Sequence, residues 1–269
     1  MQNSVSYYFF FFHRTHTKWR ILSSLVVVLF ILLSACASKT PRSVPRSERM
    51  DLVVLNFVNN TSGEKAKEFQ PWELGLASMM MTDLESIGLF NIISREDVRE
   101  VSRKRGIRVS SVQTEADALE VGELVAAKYA LSGSFMEMNG KLRIEARVFS
   151  VDQGMQLGAG SVTGRTDKFF ELQKQLVLEI SKYMEAMLDE TEASIITRNV
   201  ETTSVHASLN NYAGEIAVLQ AQEYKERGEP TRVNELLGKA KERFEKALKH
   251  DPYYKKAKEN LAKLTLGIP

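Results

Sequence analysis

The sequence predicts an α+β domain, a mixed sheet packed by helices, followed by a small all-α segment. Three observations point there. A short apolar, β-branched run (Leu52 to Val58) stands between loop residues and is followed by stretches of helical period. Between residues 129 and 165 the period falls to two and is broken by Asn139-Gly140 and Asp152-Gln153-Gly154. From Phe169 the helical period returns in a long stripe, and after a polar stretch it resumes toward the end of the chain.

Residues 1–35 read as an export leader. Arg14, Lys18 and Arg20 form a basic region, Ile21 to Ser34 is an uncharged apolar run, and small residues precede Cys36. The run is too short to cross ~30 Å of hydrocarbon, which takes about 20 helical residues. Leu33-Ser34-Ala35-Cys36 resembles the lipobox of bacterial lipoproteins. That resemblance implies cleavage before Cys36 and lipidation of its thiol, and so a membrane partner reached through the lipid. The rival reading is an ordinary signal, or an uncleaved anchor, with a chance cysteine. Residues 36–50 are polar, carry Pro41 and Pro45, show no periodicity, and read as a tether.

Three of the 36 Lys+Arg and none of the 34 Asp+Glu fall within residues 1–35, so the remainder is close to neutral. Near neutrality argues against a nucleic-acid partner, which would need a basic surface. Cys36 is the sole cysteine, so no internal disulfide supports the fold.

A core domain is expected over 51–188. Leu52 to Val58 is a buried strand and Asn59 to Gly63 its closing loop. Pro71 opens a helix through Trp72, Leu76, Met79, Met80, Leu84 and Ile87, apolar at helical spacing except for Asp83; Gly88 ends it. Asn91 to Ile93 is a second strand. Ser94-Arg95-Glu96-Asp97 and Thr114-Glu115-Ala116-Asp117 read as two capping boxes, opening helices to about Arg105 and Ala127. Arg103-Lys104-Arg105 complements the dipole of the first, in preference to forming a phosphate patch. Tyr129, Leu131, Gly133 and Phe135 then alternate with small residues. After the Asn139-Gly140 turn, Leu142, Ile144, Ala146 and Val148 line one face, and Arg143, Glu145 and Arg147 the other. A third strand, about Met155 to Arg165, is rich in small residues that permit close packing. Asp167 is expected to cap a helix carrying Phe169, Phe170, Leu172, Leu176, Ile180, Tyr183, Met184 and Met187. The order suits an α+β or three-layer α/β domain.

Four segments together resemble the CsgG-type family, which includes the N-terminal domain of TolB and LpoB. They are LVVLNFVNNTSG (52–63), LGLASMMMTDLESIGLFNIISRED (74–97), ALEVGELVAAKYALSGSF (118–135), and the pair LRIEARVFSVDQG (142–154) and GSVTG (160–164). Within them Phe57 and Asn59, Thr82 and Leu84, Gly88 through Arg95, Ala126 to Tyr129, Gly133-Ser134, and Asp152 with Gly154 occupy the family's patterned places. The resemblance implies a lipoprotein of the outer membrane facing the periplasm, with a protein partner in the cell envelope. In this family one member is a homo-oligomeric channel for curli subunits, with two long hairpins inserted in the domain, and another switches on a peptidoglycan synthase by contact. Here both turns are tight, and the apolar face of residues 141–151 is needed for the core. The sequence therefore favours an adaptor, assembly or activating factor over a channel.

Residues 189–205 read as a linker without a clear helix, and 206–269 as a helical region. Ala240, Phe244, Ala247 and Pro252 have the spacing of a second helix and closing proline resembling a tetratricopeptide repeat. Tyr224 to Gly228 resembles the end of the first helix, and GEPTRVNELLG (228–238) reads as an insertion between the two. One and a half repeats form no solenoid. The helices are therefore either a cap docked on the core or an arm for a partner.

No catalytic, cofactor-binding or metal-binding set is expected. His206 and His250 are far apart in sequence, no Cys or His pair has metal spacing, and Gly158 to Gly164 matches no nucleotide-binding loop. An enzyme is the least favoured class.

Overall fold

In the computed structural model, residues 44–105 and 114–267 are described, all within one compact unit. Strand β1 (Met50–Asn59) lies at the interior of a five-stranded sheet with β2 (Phe90–Ile92), β3 (Tyr129–Met138), β4 (Lys141–Ser150) and β5 (Met155–Arg165), ordered β2-β1-β3-β4-β5. β1 runs parallel to β2 and β3; the β3-β4 and β4-β5 pairs are antiparallel, so the sheet is mixed.

β1 is apolar on both faces because both are covered. Leu52 and Val54 face the larger core, while Val53 and Leu55 face a second, smaller one. The register against β3 then shifts between Val54 and Phe57, which turns Phe57 back into the larger core opposite Gly133. The extra residue of such a bulge is what lets Leu55 and Phe57 point to opposite sides.

Helix α1 (Glu64–Phe69) precedes α2 (Trp72–Ser86), a short helix the sequence reading passed over. α2 and α5 (Phe169–Ile180) cover the large-core face. Val98 of α3 (Arg95–Arg105), with Ala118 and Val121 of α4 (Glu115–Leu124), covers part of the other. Both capping signals are used: Ser94 Oγ accepts from Asp97 N at 3.1 Å and donates to Asp97 Oδ2 at 2.7 Å, and Thr114 and Asp117 cap each other reciprocally. The Gly106 stop lies outside the described residues. Asn139 and Gly140 both have positive φ, 54° and 78°, as a type I′ hairpin requires.

Four expectations are corrected. Asp167 does not cap α5; its carboxylate is held by Arg165, at 2.7 and 3.0 Å, and a 3-10 turn at Thr166–Lys168 leads into the helix. Phe169 sets the entry instead, stacked on Trp72 with ring centroids 3.8 Å apart. The stripe also ends early, at a 3-10 turn Ser181–Met184 followed by Glu185 with φ 56°, leaving Met187 exposed.

The polar stretch after 189 is not bare linker. Helix α6 (Glu190–Arg198) is capped by Asp189 and Glu192 in a reciprocal box, and its Ile196 enters the large core. Finally, residues 228–238 are no insertion. The chain turns at Gly228 (φ 75°), Pro230 takes the first position of a helix, and those residues build the opening turns of α8 (Pro230–His250).

α8 packs antiparallel to α7 (Val205–Glu226), and α9 (Lys255–Thr265) follows. Ala240, Phe244 and Ala247 are buried as their spacing implied. The three helices dock on the α/β domain. Leu209 and Tyr212 of α7 enter the large core, and the Tyr212 ring lies over Gly75 of α2. A Cβ at Gly75 would sit 2.6 Å from Tyr212 Cδ2, so this approach requires glycine.

Candidate partner-binding groove

Docking leaves a cavity of about 690 Å³ between α2, the start of α3, and α7 to α9. Its walls are helix faces. Met81, Thr82 and Glu85 recur at helical spacing on α2, as do Val218, Leu219 and Gln222 on α7, and Asn260, Lys263 and Leu264 on α9. Leu237 and Phe244 of α8 add to the apolar lining.

A polar network borders the groove at Glu215, Lys256 and Asn260. Glu201 accepts from the hydroxyls of Tyr212 and Tyr254, both at 3.2 Å. Burial pushes both phenols above their ordinary value, so they stay neutral donors. Lys256 Nζ lies 3.8 Å from Glu201 and 3.7 Å from Glu215. Asn260 donates to Glu215 and to Asn211, each at 3.0 Å.

Arg95 sits beside that network. Its Nη2 donates to Leu74 O at 3.1 Å, and among the described residues no carboxylate forms an ion pair with it. Burial lowers its pKa, with the through-space field of Glu215 the largest opposing effect. Lys225 and Lys263, on the helical wall, likewise have no ion pair among the described residues; the facing wall carries Glu85 and Glu96.

A second polar cluster lies nearby. Asp83, the charged interruption in the α2 stripe, is 1% exposed. Its carboxylate takes Lys174 at 2.5 Å, Gln173 at 2.8 Å and Asn199 at 3.0 Å. Burial raises its pKa and Lys174 opposes the rise. The Asp83 carboxylate is shared among residues of α5 and the end of α6, so the cluster ties α2, α5 and α6 together, with Gln173 Oε1 left buried without a partner.

Cys36, the one site residue expected from sequence, lies outside the described residues. The sequence reading missed Arg95 as a groove residue because it falls inside a capping box, which already explains a polar tetrad. The available signal was the unassigned apolar spacing of Val218 and Leu219 on α7. His206 and His250, distant in sequence, are brought together at the seam of α7 and α8 with ring centroids 5.3 Å apart. Among the described residues no group of three or more His, Cys, Asp or Glu is placed to hold a metal ion. Arg103 pairs with Glu226 of α7 at 3.2 Å and Lys104 with Glu100 at 2.7 Å, so both serve contacts within the chain.

Residues 35–163 match the family model described as curli production assembly/transport component CsgG. Over those residues the α/β domain is similar to the CsgG family. The match spans a little under half of the chain and ends within β5, so the α2 and α3 walls of the groove lie inside it and the α7 to α9 walls outside. Among solved structures, the chain is similar to the LpoB C-terminal domain from Salmonella enterica (18% identity, 50% of this chain and 90% of that one, TM-score 0.33). It is also similar to TolB from Acinetobacter baumannii (11% identity, 55% and 30%, TM-score 0.34) and to the PelC dodecamer from Paraburkholderia phytofirmans (15% identity, 54% and 94%, TM-score 0.30). TM-scores this low establish nothing beyond the family match. Among curated proteins no sequence matches the chain.

Proposed function

We propose that the protein is an outer-membrane lipoprotein, anchored through Cys36 and facing the periplasm. In this reading it is a non-enzymatic adaptor that assembles or activates an envelope complex, in cell-wall synthesis or surface-structure assembly. The observation that carries it is the junction at residue 35. The CsgG-family match begins there, one residue before the cysteine that follows the leader. A domain of this family is thus joined to a lipidation signal through the short 36–50 tether. The groove supports the same reading, since apolar troughs walled by helices take up helical peptide segments.

Feeding cells an alkyne-bearing palmitate tests the anchor. Wild-type chain should carry the label and sediment with outer membranes; Cys36→Ser should carry none. Label retained by Cys36→Ser, or absent from the wild type, contradicts it.

The description of the matching family, an assembly/transport component, supports a second reading as an oligomeric secretion channel. The strand geometry favours the adaptor. β3, β4 and β5 are joined by tight turns, and the β4 face a barrel would turn to lipid is buried, with Leu142, Ile144, Ala146 and Val148 each 0% exposed. A large ring that conducts in planar bilayers would establish the channel; a small non-conducting particle is expected.

A further inference from the structure

We infer that the groove takes a helical segment of a partner protein, with an Asp or Glu of that segment bound by Arg95. The inference rests on the groove being a docking site and adds the chemistry of its occupant.

The argument starts from Arg95. A guanidinium offers five N–H donors in a fixed fork suited to a carboxylate. Here Leu74 O takes one, and no carboxylate of the described residues pairs with the group. Arg95 is half-buried on the groove wall, so a carboxylate bound there would meet a cation partly shielded from water and not yet paired. Elsewhere in the fold the more deeply buried Lys174 is paired with Asp83. Arg95 lines a cavity large enough for several side chains, and Leu74 O is the one acceptor it has among the described residues.

The shape of the occupant follows from the walls. α2, α7 and α9 each present residues at spacings of three and four, which is the ridge pattern another helix packs into. The α7 lining runs from Glu215 to Lys225, roughly 15 Å at 1.5 Å per residue, or about three helical turns. Charge sets its facing. Lys225 and Lys263 stand on the tail wall, and Glu85 and Glu96 on the domain wall. A uniformly acidic peptide would be repelled by the domain wall. The fitting segment carries an apolar stripe with carboxylates on one flank. An acyl chain fits less well, because it would leave Glu215 and Asn260 facing hydrocarbon.

The test uses the full-length chain in its own envelope, with a benzophenone amino acid at Leu264. The wild type should crosslink to a protein, at a residue within one helical turn of an Asp or Glu. Arg95→Gln should lower the yield roughly tenfold or more, and Arg95→Lys less, since it keeps the charge without the fork. Changing the partner's carboxylate to the amide should reproduce the Arg95→Gln loss without adding to it. A thermal melt checks that Arg95→Gln is folded; if it is not, the partner's amide variant against wild-type chain decides alone. A yield indifferent to Arg95→Gln, or a crosslinked segment without a nearby carboxylate, overturns the anchor while leaving the groove as a docking site. A lipid adduct overturns the protein occupant. No adduct at all overturns the docking reading itself.

Discussion

At the scale of single residues, Asp83 shows how a charged side chain persists in an apolar helix face. Lys174, Gln173 and Asn199 surround it, and Lys174 is itself only 12% exposed. Asp83→Ala would leave that ammonium buried and unpaired, a loss of about 3–5 kcal/mol in urea unfolding. Replacing both partners together, Asp83→Leu with Lys174→Met, should recover part of the loss, because it removes the unpaired charge but leaves the Gln173 and Asn199 amide donors without an acceptor. A double variant as unstable as Asp83→Ala would show that the cluster holds the fold by more than charge pairing. Asp83 was legible in the sequence as an exception to its stripe. Its partners were not, because Lys174 and Asn199 are 91 and 116 residues away and only the tertiary fold brings them near.

Elements were legible wherever a local signal had no competitor. The Asn139-Gly140 hairpin, the alternation of β4 and both early capping boxes follow from residues that contact their own neighbours. Asp167 misled because Arg165, two residues away, takes its carboxylate before the helix can. α6 was hidden by polar composition, although Asp189 and Glu192 stand at capping-box spacing. Residues 228–238 looked like a loop because Gly228 and Pro230 bracket the turn, whereas a proline at the first helical position starts a helix. The groove itself was illegible, since it exists only where the tail meets the domain. That meeting depends on Gly75. Gly75→Ala should force α7 outward, raising amide exchange across α7 to α9 while β1, β3 and β4 stay protected. Unchanged exchange in α7 would mean that Tyr212 can move aside at little cost.

At the scale of the whole molecule, the proposal joins three parts in series: a lipid on Cys36, a short tether, and a CsgG-like domain whose C-terminal helices complete a groove. Among the described residues no helix is long and apolar enough to cross a membrane, so on this account the lipid supplies the attachment. Tethering matters because it raises the local concentration of the groove at the membrane surface, in place of high intrinsic affinity. Removing the lipid should therefore cost far more capture than any exposed substitution. The most direct measurement is photo-crosslinking in intact envelopes from Leu264, in the groove, and from Gln220, exposed and outside it. The account predicts one defined envelope protein captured from Leu264 and not from Gln220, with the capture lost in Cys36→Ser. Equal capture from both positions, or full capture by Cys36→Ser, would contradict it.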